Sequence, residues 1–126
     1  GRFVSGEWPP CDPESFTYIA CETLGPFNLN APGRVLVVAA VTASTEVDSE
    51  EFSGTCRLNI NGVSYENTTT AFHGYGEFAL HNGTLVTVTG VLSGGNNYIT
   101  LECFQGSDGA IQFTSERIAA VSLSGN

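Results

Sequence analysis

The sequence predicts an all-β fold, a β-sandwich or jelly roll of seven to nine mostly antiparallel strands. Helical periodicity is nearly absent over its 126 residues, whereas short runs of alternating apolar and polar residues recur. Glycine, proline and Asn-Gly pairs separate these runs at the spacing typical of sandwiches and jelly rolls. A chain of this length fits one domain with its own core. We therefore expect the sandwich over residues 15–126, preceded by an extended N-terminal arm over residues 1–14.

Six runs supply the predicted strands. The run at 34–44 is apolar at both alternating phases, as in a central strand that is covered on both sides. Residues 25–33 carry proline and glycine at both ends and predict a break after the first strand. In the last run the apolar phase changes between Phe113 and Ile118, so we expect a bulge near Ser115–Arg117. The runs span residues 15–24, 34–44, 55–68, 76–92, 97–106 and 110–124.

Two Asn-Gly pairs predict tight corners. Asn61-Gly62 lies between alternating residues, and a type I′ hairpin turn requires positive φ at both central positions. Asn82-Gly83 predicts a second hairpin or corner on the same grounds.

Four cysteines without a C-x-x-C spacing predict two disulfides rather than a metal site. Cys56 and Cys103 share the inward phase of their strands, so we predict that they pair with each other. Cys11 and Cys21 then form the second bridge and fasten the N-terminal segment to the first strand. Four cysteines allow three connectivities, and the crossed ones stay open on sequence alone.

The cysteines also bear on location, since disulfides persist outside the reducing cytosol. The chain contains no methionine, which fits a removed leader, so we expect a secreted or cell-surface protein. Its longest apolar run, residues 35–41, is too short for a membrane helix, and no membrane insertion is expected. A net charge of −9 argues against nucleic acid and anionic lipid as partners.

Catalytic machinery is not expected. The sequence has no G-x-S-x-G elbow, and His73 and His81 stand beside glycines without an evident partner. We therefore predict neither an enzyme nor a cofactor. The alternating carboxylates Glu46, Asp48 and Glu50 are a weak calcium candidate, but such a run is usually a solvated loop, so no metal is assigned.

Two features concern carbohydrate. His73 and Tyr75 stand in an aromatic stretch over 71–78, and exposed aromatic rings on a sandwich can stack on sugar rings. The alternative is that the phenylalanines there belong to the core and Tyr75 caps a loop. Asn67 and Asn82 each begin an Asn-x-Thr triplet, the acceptor for N-glycosylation. Asn67, in a polar loop, is the better candidate, because Asn82 is expected to serve a turn.

The N-terminal segment is the most unusual part of the sequence. It places Phe3, Val4 and Trp8 ahead of Cys11 without a turn that would fold them back. An extended apolar arm can add a strand to the open sheet edge of a neighbouring subunit. The alternatives are a frayed terminus and an ordinary edge strand of the same domain. We expect Phe3 and Trp8 to lie against a neighbouring subunit.

Four stretches, taken in order, resemble small exported bacterial jelly-roll domains of the tumour-necrosis-factor-like and complement-like type. A Pro-Gly introduces a long apolar strand, cysteines lie in a middle and a late strand, and an Ile-x-Ala strand ends the chain. The stretches are "APGRVLVVAAVTAS", "CRLNINGVSY", "NGTLVTVTGVLSGGNNYITLECF" and "RIAAVSL". The resemblance implies a non-catalytic surface or assembly module that is often oligomeric. The arm is also similar to those of donor-strand filament subunits.

These observations together predict a secreted structural protein that assembles with copies of itself, as a filament or oligomer, by strand addition or sheet-edge contacts. Two alternatives stay open: a carbohydrate-binding module, whose partner is a glycan, and a virion decoration protein.

Overall fold

A computed structural model describes residues 1–14, 16–45, 51–75, 80–106 and 111–123. The described residues form eight strands in two four-stranded antiparallel sheets, with strand orders β1-β8-β3-β6 and β2-β7-β4-β5. This is the strand order of a jelly roll, so the predicted fold is confirmed. The strands are β1 (Arg2–Val4), β2 (Ile19–Leu29), β3 (Val35–Ser44), β4 (Glu51–Ile60), β5 (Val63–Tyr75), β6 (Leu80–Val88), β7 (Gly95–Gln105) and β8 (Gln112–Ser122).

The core lies between the two sheets and is built from alternate residues of each strand. In β3 every second residue is fully buried, and the residues between them are half-buried: the inward set is Val35, Val37, Ala39, Val41 and Ala43. The prediction of a strand covered on both sides is therefore wrong for one face. The second apolar phase of β3 lies on the outer surface of its sheet.

The Asn61-Gly62 hairpin is confirmed. Ile60 pairs with Val63 at the ends of β4 and β5, and Asn61 and Gly62 adopt φ angles of 52° and 88°. Both values are positive, as a type I′ turn requires.

The predicted corner at Asn82-Gly83 is wrong, because β6 runs through both residues in regular pairing with β3. The glycine there serves close packing. A Cβ at Gly83 would stand 2.8 Å from Cε1 of Phe72, a side chain of the facing sheet. An Asn-Gly pair thus marks a close approach between the sheets here, which a local pattern cannot distinguish from a turn.

The break predicted after the first strand, over residues 25–33, begins later in the structure, after Leu29. Strand β2 continues through a cis Gly25-Pro26 bond to Leu29, with register shifts against β7 on the way. It begins at Ile19 rather than at residue 15.

The predicted bulge in the last strand is confirmed. Ala40 pairs with Arg117 and the next residue, Val41, pairs with Ser115, so β8 holds one extra residue at this point. The extra residue brings Phe113 and Ile118 onto the same inward face, where both are buried.

The N-terminal segment belongs to its own sandwich. Strand β1 pairs with β8, with Phe3 opposite Ala120, and the Phe3 ring lies 4.9 Å from that of Phe27. Farther along, Cys11 forms an isolated bridge with Phe113. The expectation that Phe3 lies against a neighbouring subunit is therefore wrong, and residues 1–14 are not a detached arm. The outer edge of β8 was available for pairing, and β1 fills it.

Candidate interaction surface

The two outer faces of the sandwich differ in polarity. On the β2-β7-β4-β5 sheet the outward side chains are bonded to one another. Arg57 donates to Glu66 at 2.7 Å and to Glu102 at 3.2 Å, and its guanidinium lies 3.6 Å from the centre of the Tyr18 ring. The Tyr18 ring in turn packs edge-on against Phe104. On this polar face one arginine thus bridges two carboxylates.

Burial raises the pKa of the Tyr18 phenol above its ordinary value, and the Arg57 guanidinium opposes that rise only in part. Because the folded-state pKa is raised, the stability that Tyr18 contributes is present below pH about 10 and is lost as the pH rises through the folded-state pKa. We expect the difference in phenolate absorbance between the native chain and Tyr18→Phe to titrate at higher pH in the folded protein than in denaturant. Coincident titrations would contradict this placement of Tyr18.

The outer face of the β1-β8-β3-β6 sheet is apolar instead. The sheet register aligns its outward residues in two adjacent rows across the strands. One row runs Val121, Leu36 and Val88, and the next runs Val4, Ala119, Val38 and Val86. We call these seven residues the apolar face. None of its residues is buried: Val4, Val86, Val88 and Val121 count as exposed, and the other three are half-buried.

Among the outward side chains that the structure describes on this sheet, none is a carboxylate, although the chain carries a net charge of −9. Arg2 pairs with Val121 at the end of the first row, and Arg117 pairs with Ala40 in the row beyond the second. Two of the four arginines therefore border the apolar face.

The sequence contains the signal for this surface. The second apolar phase of β3 and the apolar neighbours of the inward residues in β6 and β8 are visible in the printed sequence. The long-range topology decides which strands lie side by side. It therefore also decides that these residues share one face.

Trp8 lies on a short loop beside the same sheet. The loop is fixed at both ends on β8: the Ser5 amide donates to the carbonyl of Ile118 at 2.9 Å, and the Cys11 amide donates to that of Phe113 at 2.7 Å. Trp8 itself is 41% exposed, and Val4 is 39% exposed. Of the three predicted assembly residues, Phe3 is thus packed on its own domain while Val4 and Trp8 stay accessible.

Both disulfides have the predicted pairing. Cys56 and Cys103 stand directly opposite each other on β4 and β7, fully buried, with their Cα atoms 4.1 Å apart. Cys11 pairs with Cys21 across ten residues and joins the N-terminal segment to β2. No free cysteine is present.

The predicted glycosylation sites both lie on strands. Asn67 stands in β5 between Tyr65 and Thr70, where the register of β5 against β4 shifts. The polar loop predicted at Asn67 is therefore an irregular stretch of a strand. The Asn82 side chain is exposed and accepts a hydrogen bond from Thr42 at 2.8 Å. Both stay predictions as glycan acceptors.

The structure describes only some of the remaining candidates. His73 is exposed on β5, and the Tyr75 side chain lies outside the described part. His81 is exposed on β6, with its ring against Phe52. The calcium candidates Glu46, Asp48 and Glu50 also lie outside the described residues, and the described ones contain no cluster suited to a metal ion. Nor do they contain a helix long and apolar enough to cross a membrane.

No protein-family model matches the chain, and no curated protein sequence does. Solved structures show what its fold is similar to. Dimeric latent PorU from Porphyromonas gingivalis contains a region with a TM-score of 0.56 at 12% identity, covering 96% of this chain and 12% of that one. Eiger TNF from S. frugiperda has a TM-score of 0.52 at 10% identity over 98% of this chain and 90% of its own.

A viral protein is similar as well. The VP2 protein of infectious bursal disease virus, in T=1 particles, has a TM-score of 0.53 at 12% identity, covering 95% of this chain and 30% of VP2. The chain thus spans about an eighth of PorU and less than a third of VP2. At these identities the likenesses show a jelly-roll fold shared with a tumour necrosis factor and a viral particle protein.

Proposed function

We propose that this chain is an extracellular, non-catalytic structural module that associates with copies of itself. The observation that carries the proposal is the apolar face. Its two rows across four strands cover on the order of 300 Å², given strand spacings of about 4.8 Å. The largest apolar patch on a typical monomer is of about this size and is often functional.

A second copy is the occupant that the charges favour. The face displays no described carboxylate, so two copies can approach through it despite their charge. A surface made only of aliphatic side chains can also contact a second copy of itself, as a contact about a two-fold axis requires. The similar solved structures include a dimer and a virus-derived particle, which supports an assembling role.

Extracellular location is supported by the two disulfides, which bridge all four cysteines.

The face is tested by placing a charge within it. Val121 lies on β8 opposite Arg2 and is 38% exposed, and Val121→Glu would place a carboxylate, with Arg2 beside it, in each apolar contact. We expect the association constant to fall by roughly 100-fold or more, measured by size-exclusion chromatography with light scattering.

Val63→Glu is the matched control, because Val63 is 61% exposed beside the hairpin of the other sheet. It adds the same charge away from the face and should leave the association constant nearly unchanged. Equal effects of the two substitutions would show that net charge, rather than the face, governs association.

A further inference from the structure

Strand β6 forms one edge of the sheet that carries the apolar face. The Thr89 amide, just past the end of β6, donates to the carbonyl of Val35 at 2.9 Å, so residue 89 is directed toward β3. Backbone groups alternate in direction along a strand. The odd-numbered residues of β6 therefore bond to β3, and the N–H and C=O groups of the even-numbered ones point to the open edge. Those residues include Asn82, Thr84, Val86 and Val88.

This edge has no described partner. Within the part of the chain that the structure describes, β6 pairs with β3 and with no other strand. At its far end, the Gly90 amide contacts the Tyr65 hydroxyl at 3.4 Å, which closes the edge just beyond Val88. Four consecutive outward-directed residues are left with their backbone groups available for pairing.

The other edges are protected by ordinary devices, and β6 is not. Strand β1 has only three residues, β2 contains two register shifts, and β5 contains one large irregularity. Such short or bulged edges resist pairing with another chain. By contrast β6 reads "LHNGTLVTV" over nine residues, without a proline, a lysine or a carboxylate, and its pairing with β3 is regular.

We propose that β6 pairs antiparallel with β6 of a second copy, joining two sheets into one of eight strands. The register that sets Asn82 opposite Val88 and Thr84 opposite Val86 uses these four residues of each copy. The fifth even-numbered residue, Leu80, would face Gly90, whose amide already contacts the Tyr65 hydroxyl. Val86 then stands opposite Thr84 of the other copy and diagonal to its Val86, so the two apolar faces meet at one corner of the junction. The inference rests on the proposed self-association and assigns it a second contact.

The apolar face alone is too small for a stable interface, so a second contact is expected. A stable interface buries about 800 Å² per partner, and the face supplies on the order of 300 Å². Two different two-fold contacts on one subunit also have a definite consequence, since they either close four copies into a ring of dimers or continue as an open chain.

The test removes one outward-directed amide without altering the apolar face. Thr84→Pro deletes a donor that β3 does not use, because proline lacks the N–H group. Thr84→Val is the matched control that keeps it. By sedimentation velocity we expect assemblies larger than a dimer for the native chain and for Thr84→Val, and dimers joined by the apolar face for Thr84→Pro. Val121→Glu should leave dimers joined by β6, and the double variant should be a monomer of 13.3 kDa.

The outcomes separate the two contacts. If Thr84→Pro sediments like Thr84→Val while Val121→Glu dissociates the assembly, the β6 contact is overturned and the apolar face stands. If only Thr84→Pro dissociates it, the β6 contact stands and the proposed use of the face is wrong.

Hydrogen exchange on the native chain tests the same contact should the proline variant not fold. Raising the protein concentration should slow exchange at the amides of Asn82, Thr84, Val86 and Val88 at least tenfold, and leave Leu85 and Thr87 unchanged. Exchange that is independent of concentration at all six amides would overturn the β6 contact.

Discussion

Replacing Cys56 and Cys103 together with alanine is expected to lower the free energy of unfolding by about 4 kcal/mol. The bridge closes a loop of 47 residues, and a crosslink that closes a longer loop restricts the unfolded chain more. Both cysteines are fully buried in the centre of the sheet pair, so the substitution also removes packed atoms from the core.

The second disulfide supplies the comparison. Cys11 and Cys21 are ten residues apart, and their double alanine variant should lose about 2.5–3 kcal/mol by the same relation. Urea denaturation of both variants measures the difference. A smaller loss for the Cys56–Cys103 pair than for the Cys11–Cys21 pair would contradict this description of the core.

Phe113→Ala is expected to lower the free energy of unfolding by about 3–5 kcal/mol. Phe113 is 1% exposed, and its ring packs edge-on against Phe72 at 5.6 Å. A Cβ at Gly54 would stand 2.7 Å from the Phe113 ring, so the facing strand is shaped to receive it. Hydrogen bonds between the backbones of Phe113 and Cys11 hold this part of β8 in place, which limits collapse around the cavity.

Phe16→Ala is the control for that substitution. Phe16 is 64% exposed, and its truncation should change stability by no more than about 0.5 kcal/mol. Denaturant midpoints of the two variants give the comparison. Similar losses at the two positions would show that the ring of Phe113 is not a core element.

Features encoded by neighbouring residues could be predicted from the sequence. The Asn61-Gly62 turn follows from two residues that tolerate positive φ, and the bulge in β8 follows from a change of apolar phase within one strand. The inward phase that Cys56 and Cys103 share favours their pairing, and the structure places them opposite each other on adjacent strands.

Features that depend on distant residues could not be predicted. Gly83 was indistinguishable from a turn glycine until Phe72 of the facing sheet was placed against it. Phe3 belongs to its own domain because the edge of β8, more than a hundred residues later, accepts β1. Sequence patterns identify apolar segments, whereas topology decides which segment covers which.

The apolar face combines a feature that could be predicted from the sequence with one that could not. The two apolar phases of β3 are visible in the sequence, where they predict burial on both sides. The structure places only one phase in the core, and the other joins Val86 and Val121 on an outer face. An apolar phase without a covering layer in the subunit is the physical reason to expect a second copy there.

Sedimentation equilibrium of the unmodified chain tests the central claim most directly. We expect the weight-average mass to exceed 13.3 kDa and to rise with protein concentration toward a multiple of that value. A mass of 13.3 kDa at every concentration, with the disulfides intact and the β spectrum native, would contradict the proposed self-association.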